Sequence, residues 1–149
     1  WEGRVGFMPR RGHAVARKCI RRNRRLDFVP IEGRSEVEVA EVLQQASFFL
    51  ATSEGEWFGL PALEAMAAGC VVLSVPVLGG SEYLRAGENC VVAPAHELPE
   101  QLARWSRPEA ALERERLRRA GLATAGQYRR GAQRRRLVRL RSQLPELLS

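Results

Sequence analysis

One aspartate, Asp27, and one lysine, Lys18, are all that the 149 residues contain of either type. A lone Asp excludes an Asp-x-Asp metal site. The two histidines, His13 and His96, have no carboxylate or Cys partner at ligand or triad spacing, and both Gly-x4-Gly-Lys and His-Glu-x2-His are absent. Surface or helix-cap roles are expected for them. Three cysteines, Cys19, Cys70 and Cys90, are an odd number in apolar or helical contexts, which points to buried free thiols in a reducing compartment. No apolar run approaches the roughly 20 residues that cross a bilayer, and Trp1 to Arg4 do not begin a signal peptide. A cytoplasmic chain is expected, with contact at the inner membrane face left open. The chain also lacks an initiator Met and opens inside what looks like a strand, so a piece of a longer protein is expected.

What is present fits a folded domain: 45% hydrophobic and 28% charged residues, in a chain long enough to bury roughly 68 to 70% of its unfolded surface. The net charge of +7 is unevenly spread. Residues 1–34 carry 10 basic and 3 acidic groups, residues 35–101 carry 1 and 10, and residues 102–149 carry 13 and 4. Every cation but Lys18 is Arg, whose planar fork suits phosphate or carboxylate. A codon-biased genome would give the same composition.

Short β-branched runs alternate with amphipathic stretches, the pattern of βα units in an open parallel sheet with helices on both faces. Strands are expected at Arg4–Met8, Leu26–Ile31, Ser47–Thr52, Cys70–Val75 and Cys90–Ala93. The last two are continuous apolar runs, as in strands buried on both sides. Helices are expected at Gly12–Asn23, from Ser35 to near Ala46, at Pro61–Ala68, Ser81–Ala86 and His96–Trp105, and over Glu109–Leu148 with a break near Gly121, Gly126, Gly131 or Pro145. Ser35 and Glu38 form a capping box, and Val37, Val39, Val42 and Leu43 are its expected buried stripe. Gly69 stands where a helix C′ glycine belongs. Residues 1–107 are read as one α/β domain and 108–149 as an Arg-rich helical extension packing on it or on a missing N-terminal domain.

The chemistry concentrates in Ser53–Gly69, SEGEWFGLPALEAMAAG. A strand ends, a glycine-containing loop follows, and a helix starts with Pro61 in its first turn, where a missing N–H costs nothing. Backbone amides near Gly59 to Ala62 are thereby aimed out of the helix, an arrangement that binds anions and especially phosphates. The ligand crevice of an open α/β sheet lies beyond the carboxyl ends of its strands, where this loop would sit. Glu64, one turn in, could accept hydrogen bonds from adjacent ribose hydroxyls; Glu56, eight positions earlier, could reach a second polyhydroxyl group. A Glu in a first helical turn also stabilises the helix dipole without any ligand.

The order Glu56-x7-Glu64, Phe58-Gly59-Leu60-Pro61, Glu64-Ala65-Met66-Ala67-x-Gly69 and then Gly79-Gly80-Ser81-Glu82 resembles the donor-site signature of retaining GT-B glycosyltransferases, family four. The similarity runs through about residues 35–105 and implies a Rossmann-like parallel sheet forming one half of a GT-B fold. It implies that Glu64 binds the nucleotide ribose and Glu56 meets the donor sugar, while amides around Phe58, Gly59 and Leu60 hold the diphosphate and sugar. The family has an Arg and a Lys in its first strand-to-helix loop. Here that loop reads Met8-Pro9-Arg10-Arg11, making Arg10 and Arg11 the candidates for gripping the diphosphate. Val29, Pro30 and Ile31 end the second strand where the family frames the base. Glu54 competes with Glu56, and the x7 spacing favours Glu56.

By this resemblance the chain is the nucleotide-sugar-binding half of a transferase that moves a hexose or deoxyhexose, without a metal cofactor, to a glycan or lipid-linked acceptor held by a missing N-terminal domain. The isolated chain is expected to bind donor and turn over little. A GT-B-like epimerase or phosphorylase remains an alternative, as does a non-catalytic, Arg-driven binder of nucleic acid or anionic membrane. The Arg129–Arg141 stretch (RRGAQRRRLVRLR) could meet anionic lipid. It lacks aromatics, which disfavours single-stranded nucleic acid.

Overall fold

The computed structural model describes residues 3–53, 60–79 and 82–128. Five strands, β1 (Arg4–Phe7), β2 (Asp27–Pro30), β3 (Phe48–Ala51), β4 (Val71–Ser74) and β5 (Val91–Val92), form one parallel sheet in the order β2-β1-β3-β4-β5. Between and after them lie α1 (His13–Arg22), α2 (Glu36–Gln45), α3 (Leu60–Ala67) and α4 (Leu98–Trp105), a 3-10 turn at Pro108–Ala110, and a last helix, α5, over 111–128. The expected open α/β sheet is present.

Alternation along the strands builds two core layers, because successive side chains of a strand point to opposite faces. Val5, Phe7, Phe48, Leu50, Val71 and Leu73 join α1 and α4 on one side; Phe49, Cys70 and Val72 join α2 and α3 on the other. All three cysteines are free and buried, as expected, and burial pushes each thiol up to about 12. Helix ends follow the sequence signals. Ser35 accepts from the Glu38 amide and Glu38 accepts from the Ser35 amide, completing the capping box. At the end of α3, Cys70 N–H donates to the Ala65 carbonyl and Gly69 N–H to that of Met66, with Gly69 at φ 90, so the expected glycine closes a Schellman motif.

Four expectations need correction. Val37 is 68% exposed. Two positions before Val39, it falls roughly 200° around the helix from the stripe that Val39, Val42, Leu43 and Ala46 make at i, i+3, i+4 and i+7. Residues 82–86 are turn and extended backbone, because the buried amide of Asn89 holds the segment: it accepts from the Arg85 N–H and donates to the Tyr83 carbonyl and Thr124 hydroxyl. The helix expected from His96 begins at Leu98, after a turn that ends with Glu97 and Leu98 amides on the Pro94 carbonyl.

The fourth concerns α5, which runs unbroken through Gly121 and Gly126. A β-carbon on Gly121 would meet Met66 Cγ at 3.3 Å and the Asn89 carbonyl at 3.6 Å, so this glycine serves close packing on α3. Leu117 enters the first core layer and Ala125 the second, while Tyr128 packs edge-on against Tyr83 at 5.3 Å. Through residue 128, the extension is packed on the sheet domain. Gly131, Pro145 and the Arg129–Arg141 stretch lie outside the described residues.

Candidate functional site

In this strand order the chain reverses direction across the sheet between β1 and β3, and crevices in such folds open beyond the carboxyl ends of the strands at that point. Met8, Arg11, Ala51, Thr52, Ser53 and Pro61 line a narrow crevice there. Met8 also lines a second, wider cleft of about 530 Å3 between α2 and α3, together with Arg34, Glu36, Val39, Leu43, Leu63 and Glu64. That size falls within the roughly 300–1,000 Å3 of small-molecule sites. Met8, just beyond β1, thus lines both openings.

The crevice is bounded by two helix amino ends. α3 begins at Leu60 with half-buried Pro61 next, close to the expected start. α1 begins after Gly12, whose carbonyl accepts from the Val15 and Ala16 amides. Neither helix has an acidic residue in its first turn, and no side chain caps α1, so the positive pole of α1 is left for an anion.

The loop from Met8 to Gly12 is tied to the end of β3. Thr52, 3% exposed, donates its hydroxyl to the Arg11 carbonyl at 2.7 Å. Gly12 has φ 67, and a β-carbon there would lie 2.0 Å from the Thr52 carbonyl oxygen. Only glycine fits this approach. Neither residue stands out in the sequence as functional; the readable signal was a glycine immediately ahead of a helix that follows a strand.

Of the residues singled out from sequence, Arg11 and Pro61 line the crevice and Glu64 the cleft, and Met8 lines both. Glu64 is exposed on α3 and lines the wide cleft. Arg10 stands to one side, its largely exposed guanidinium paired with Glu32 beyond β2. Ile31 is 6% exposed and packs in the layer with Leu43 and Phe49, so its side chain belongs to the core. Leu60 opens α3. Glu54, Glu56, Phe58 and Gly59 lie outside the described residues, as do Gly80 and Ser81. Arg34 was missed: it donates to the Pro30 carbonyl at 3.3 Å and, with Glu36, brings charge of both signs to the cleft. Its position next to the capping box Ser35 was the available hint. Among the described residues, no group of three or more His, Cys, Asp or Glu could hold a metal ion, and no helix is long and apolar enough to cross a membrane.

This is a Rossmann-like α/β domain with its cleft at the sheet's switch point. Residues 5–105 match the family model described as glycosyl transferases group 1, and the chain belongs to that family. An alpha-1,6-glucosyltransferase of Actinobacillus pleuropneumoniae serotype 7 is 46% identical over 67 residues, covering 45% of this chain and 19% of that protein. The C-terminal domain of a group 1 glycosyl transferase, LpcC, from Francisella tularensis superposes with TM-score 0.67 at 15% identity, over 84% of this chain and 85% of that one. The Anabaena protein HepE, in complex with UDP-glucose, gives 0.68 at 16% identity over 85% of this chain and 44% of its own. A sucrose-phosphate synthase of Thermosynechococcus elongatus gives 0.64 at 20% over 93% and 46%. The fold is thus that of one GT-B Rossmann-like domain, and the chain spans a fifth to a half of most of these relatives.

Proposed function

We propose that this chain is the donor-binding half of a retaining glycosyltransferase that moves a hexose or deoxyhexose from a nucleoside diphosphate to a glycan or lipid-linked acceptor. The observation that carries the reading is the placing of two openings that share Met8: a crevice lined by Arg11 and Pro61 at the carboxyl edge of the sheet, and the cleft lined by Glu64. A diphosphate lying across the mouth of the crevice, beside Arg11 and Pro61, would direct its nucleoside toward the cleft, with the Glu64 carboxylate accepting from the ribose hydroxyls. Arg11 and the helix ends would stabilise the charge that develops as the diphosphate leaves, without a metal ion. Arg10 joins them by exchanging Glu32 for phosphate. Glu56 positions the donor sugar from the loop before α3, Phe58, Gly59, Leu60 and Pro61 frame it, and Ile31 backs the base. The acceptor and closure come from a second domain, so the isolated chain binds donor without appreciable turnover. The reaction belongs in the cytoplasm, at the inner membrane face for a lipid-linked acceptor.

Titration of the chain with the common nucleoside diphosphates, alongside Glu64→Ala, tests this. Binding that weakens about tenfold or more in the variant is expected from losing a charge-assisted pair of hydrogen bonds. Equal affinity of the two proteins for every nucleotide overturns it.

A further inference from the structure

We infer that Thr52 is a positioning residue for the diphosphate, acting through the Arg11 backbone and the amino end of α1 without touching the ligand itself. The inference rests on the donor-binding reading above.

Thr52 stands one residue past β3, at the carboxyl edge of the sheet where the crevice opens. Its hydroxyl is buried and spends its hydrogen on the Arg11 carbonyl at 2.7 Å, across 41 positions of sequence. One residue further, Gly12 is pressed against the Thr52 carbonyl, at a separation no residue with a β-carbon permits. These two contacts fix the last two residues before α1, and so fix where that helix begins. The first amides of α1 carry no side-chain cap, and no carboxylate sits in its first turn. Their direction, and the point from which the Arg11 side chain departs, are therefore set by Thr52 from the neighbouring strand. A buried threonine in this position could have satisfied its hydroxyl on its own strand or turn. Reaching the adjacent loop instead joins the end of β3 to the end of β1, the two edges of the crevice.

The role separates from that of Glu64 by ligand. Thr52→Val keeps shape and volume but removes the hydroxyl that donates to the Arg11 carbonyl. Inorganic pyrophosphate and a set of nucleoside diphosphates would be titrated against the wild-type chain, Thr52→Val, Thr52→Ser and Glu64→Ala, with thermal unfolding followed in parallel. Thr52→Val should weaken pyrophosphate and nucleoside diphosphates by the same factor, about three- to tenfold for one lost hydrogen bond, and Thr52→Ser should restore both. Glu64→Ala should weaken the nucleotides and leave pyrophosphate unchanged. Normal pyrophosphate affinity in a folded Thr52→Val, or no rescue by Ser, overturns the role given to Thr52 while leaving the donor reading in place. Failure of the wild-type chain to bind any of these ligands overturns both.

Discussion

Gly12 and Thr52 meet so closely that a β-carbon on the glycine would lie 2.0 Å from the threonine's carbonyl oxygen, deep inside the van der Waals envelope of the backbone just past β3. The same approach brings the first loop of the chain onto the end of the central strand, where the crevice opens. Gly33 offers a natural control, since it too has a positive φ, 62, yet a β-carbon added there would have nothing within 4 Å.

Replacing Gly33 with Ala should cost only the left-handed backbone penalty, about 1–2 kcal/mol. Gly12→Ala should cost clearly more, about 3 kcal/mol or beyond, because strain adds to a collision with backbone that cannot yield. Urea unfolding of both variants measures the difference. Equal costs would mean that β1 and β3 are not locked together through this glycine.

Asn89 uses its side-chain amide fully: it accepts from the Arg85 N–H at 2.9 Å and donates to the Tyr83 carbonyl at 2.6 Å and the Thr124 hydroxyl at 2.9 Å. Asn89→Ala should destabilise by about 2–4 kcal/mol, since it strands buried partners as well as removing bonds. Thr124→Val should cost less, because Asn89 keeps its bonds to the Arg85 N–H and the Tyr83 carbonyl. The double variant should fall short of the sum of the two, as expected for groups sharing one network. Strict additivity, read from denaturant midpoints, would contradict the coupling of the 82–89 segment to α5.

The thiols of Cys19, Cys70 and Cys90 are pushed by burial from an ordinary 9.0 to about 12. Below pH 9 both folded and unfolded chains keep these protons, and no pH dependence arises from them. Between pH 9 and 12 the unfolded chain releases protons that the folded chain retains, so stability falls as pH rises, by up to about 1.4 kcal/mol per pH unit for each thiol. Urea midpoints at pH 8 and pH 10.5 should show this loss, and replacing Cys70 and Cys90 with Ala should reduce it. At pH 8 a thiol reagent should label none of the three until urea opens the fold; rapid labelling of the native chain would contradict their burial.

Much of the secondary structure is legible in the sequence because its causes are local. Ser35 and Glu38 sit three residues apart and cap α2 whatever surrounds them; Gly69 closes α3 because the next turn needs a positive φ. Val37 misleads because β-branched residues cluster around several sides of α2, and only the packed sheet selects the side that is buried. Residues 82–86 carry a helical pattern but do not form a helix, because the hold of Asn89 reaches to Thr124, 35 positions away, beyond any window of sequence.

The site divides along the same line. Sequence alone located Glu64 one turn into a helix that follows a strand, and Pro61 at that helix's opening, because helix starts, strand runs and the spacing between them are written in neighbouring residues. It also supplied the abundance of Arg. Only the tertiary structure decided that Arg11 faces the crevice while Arg10 turns to Glu32, that Ile31 is buried, and that Arg34 joins the cleft. Those outcomes depend on which strands become neighbours. The parallel order β2-β1-β3 brings Gly12 against Thr52 from 40 positions away, and short-range residue preferences carry no information about that distance.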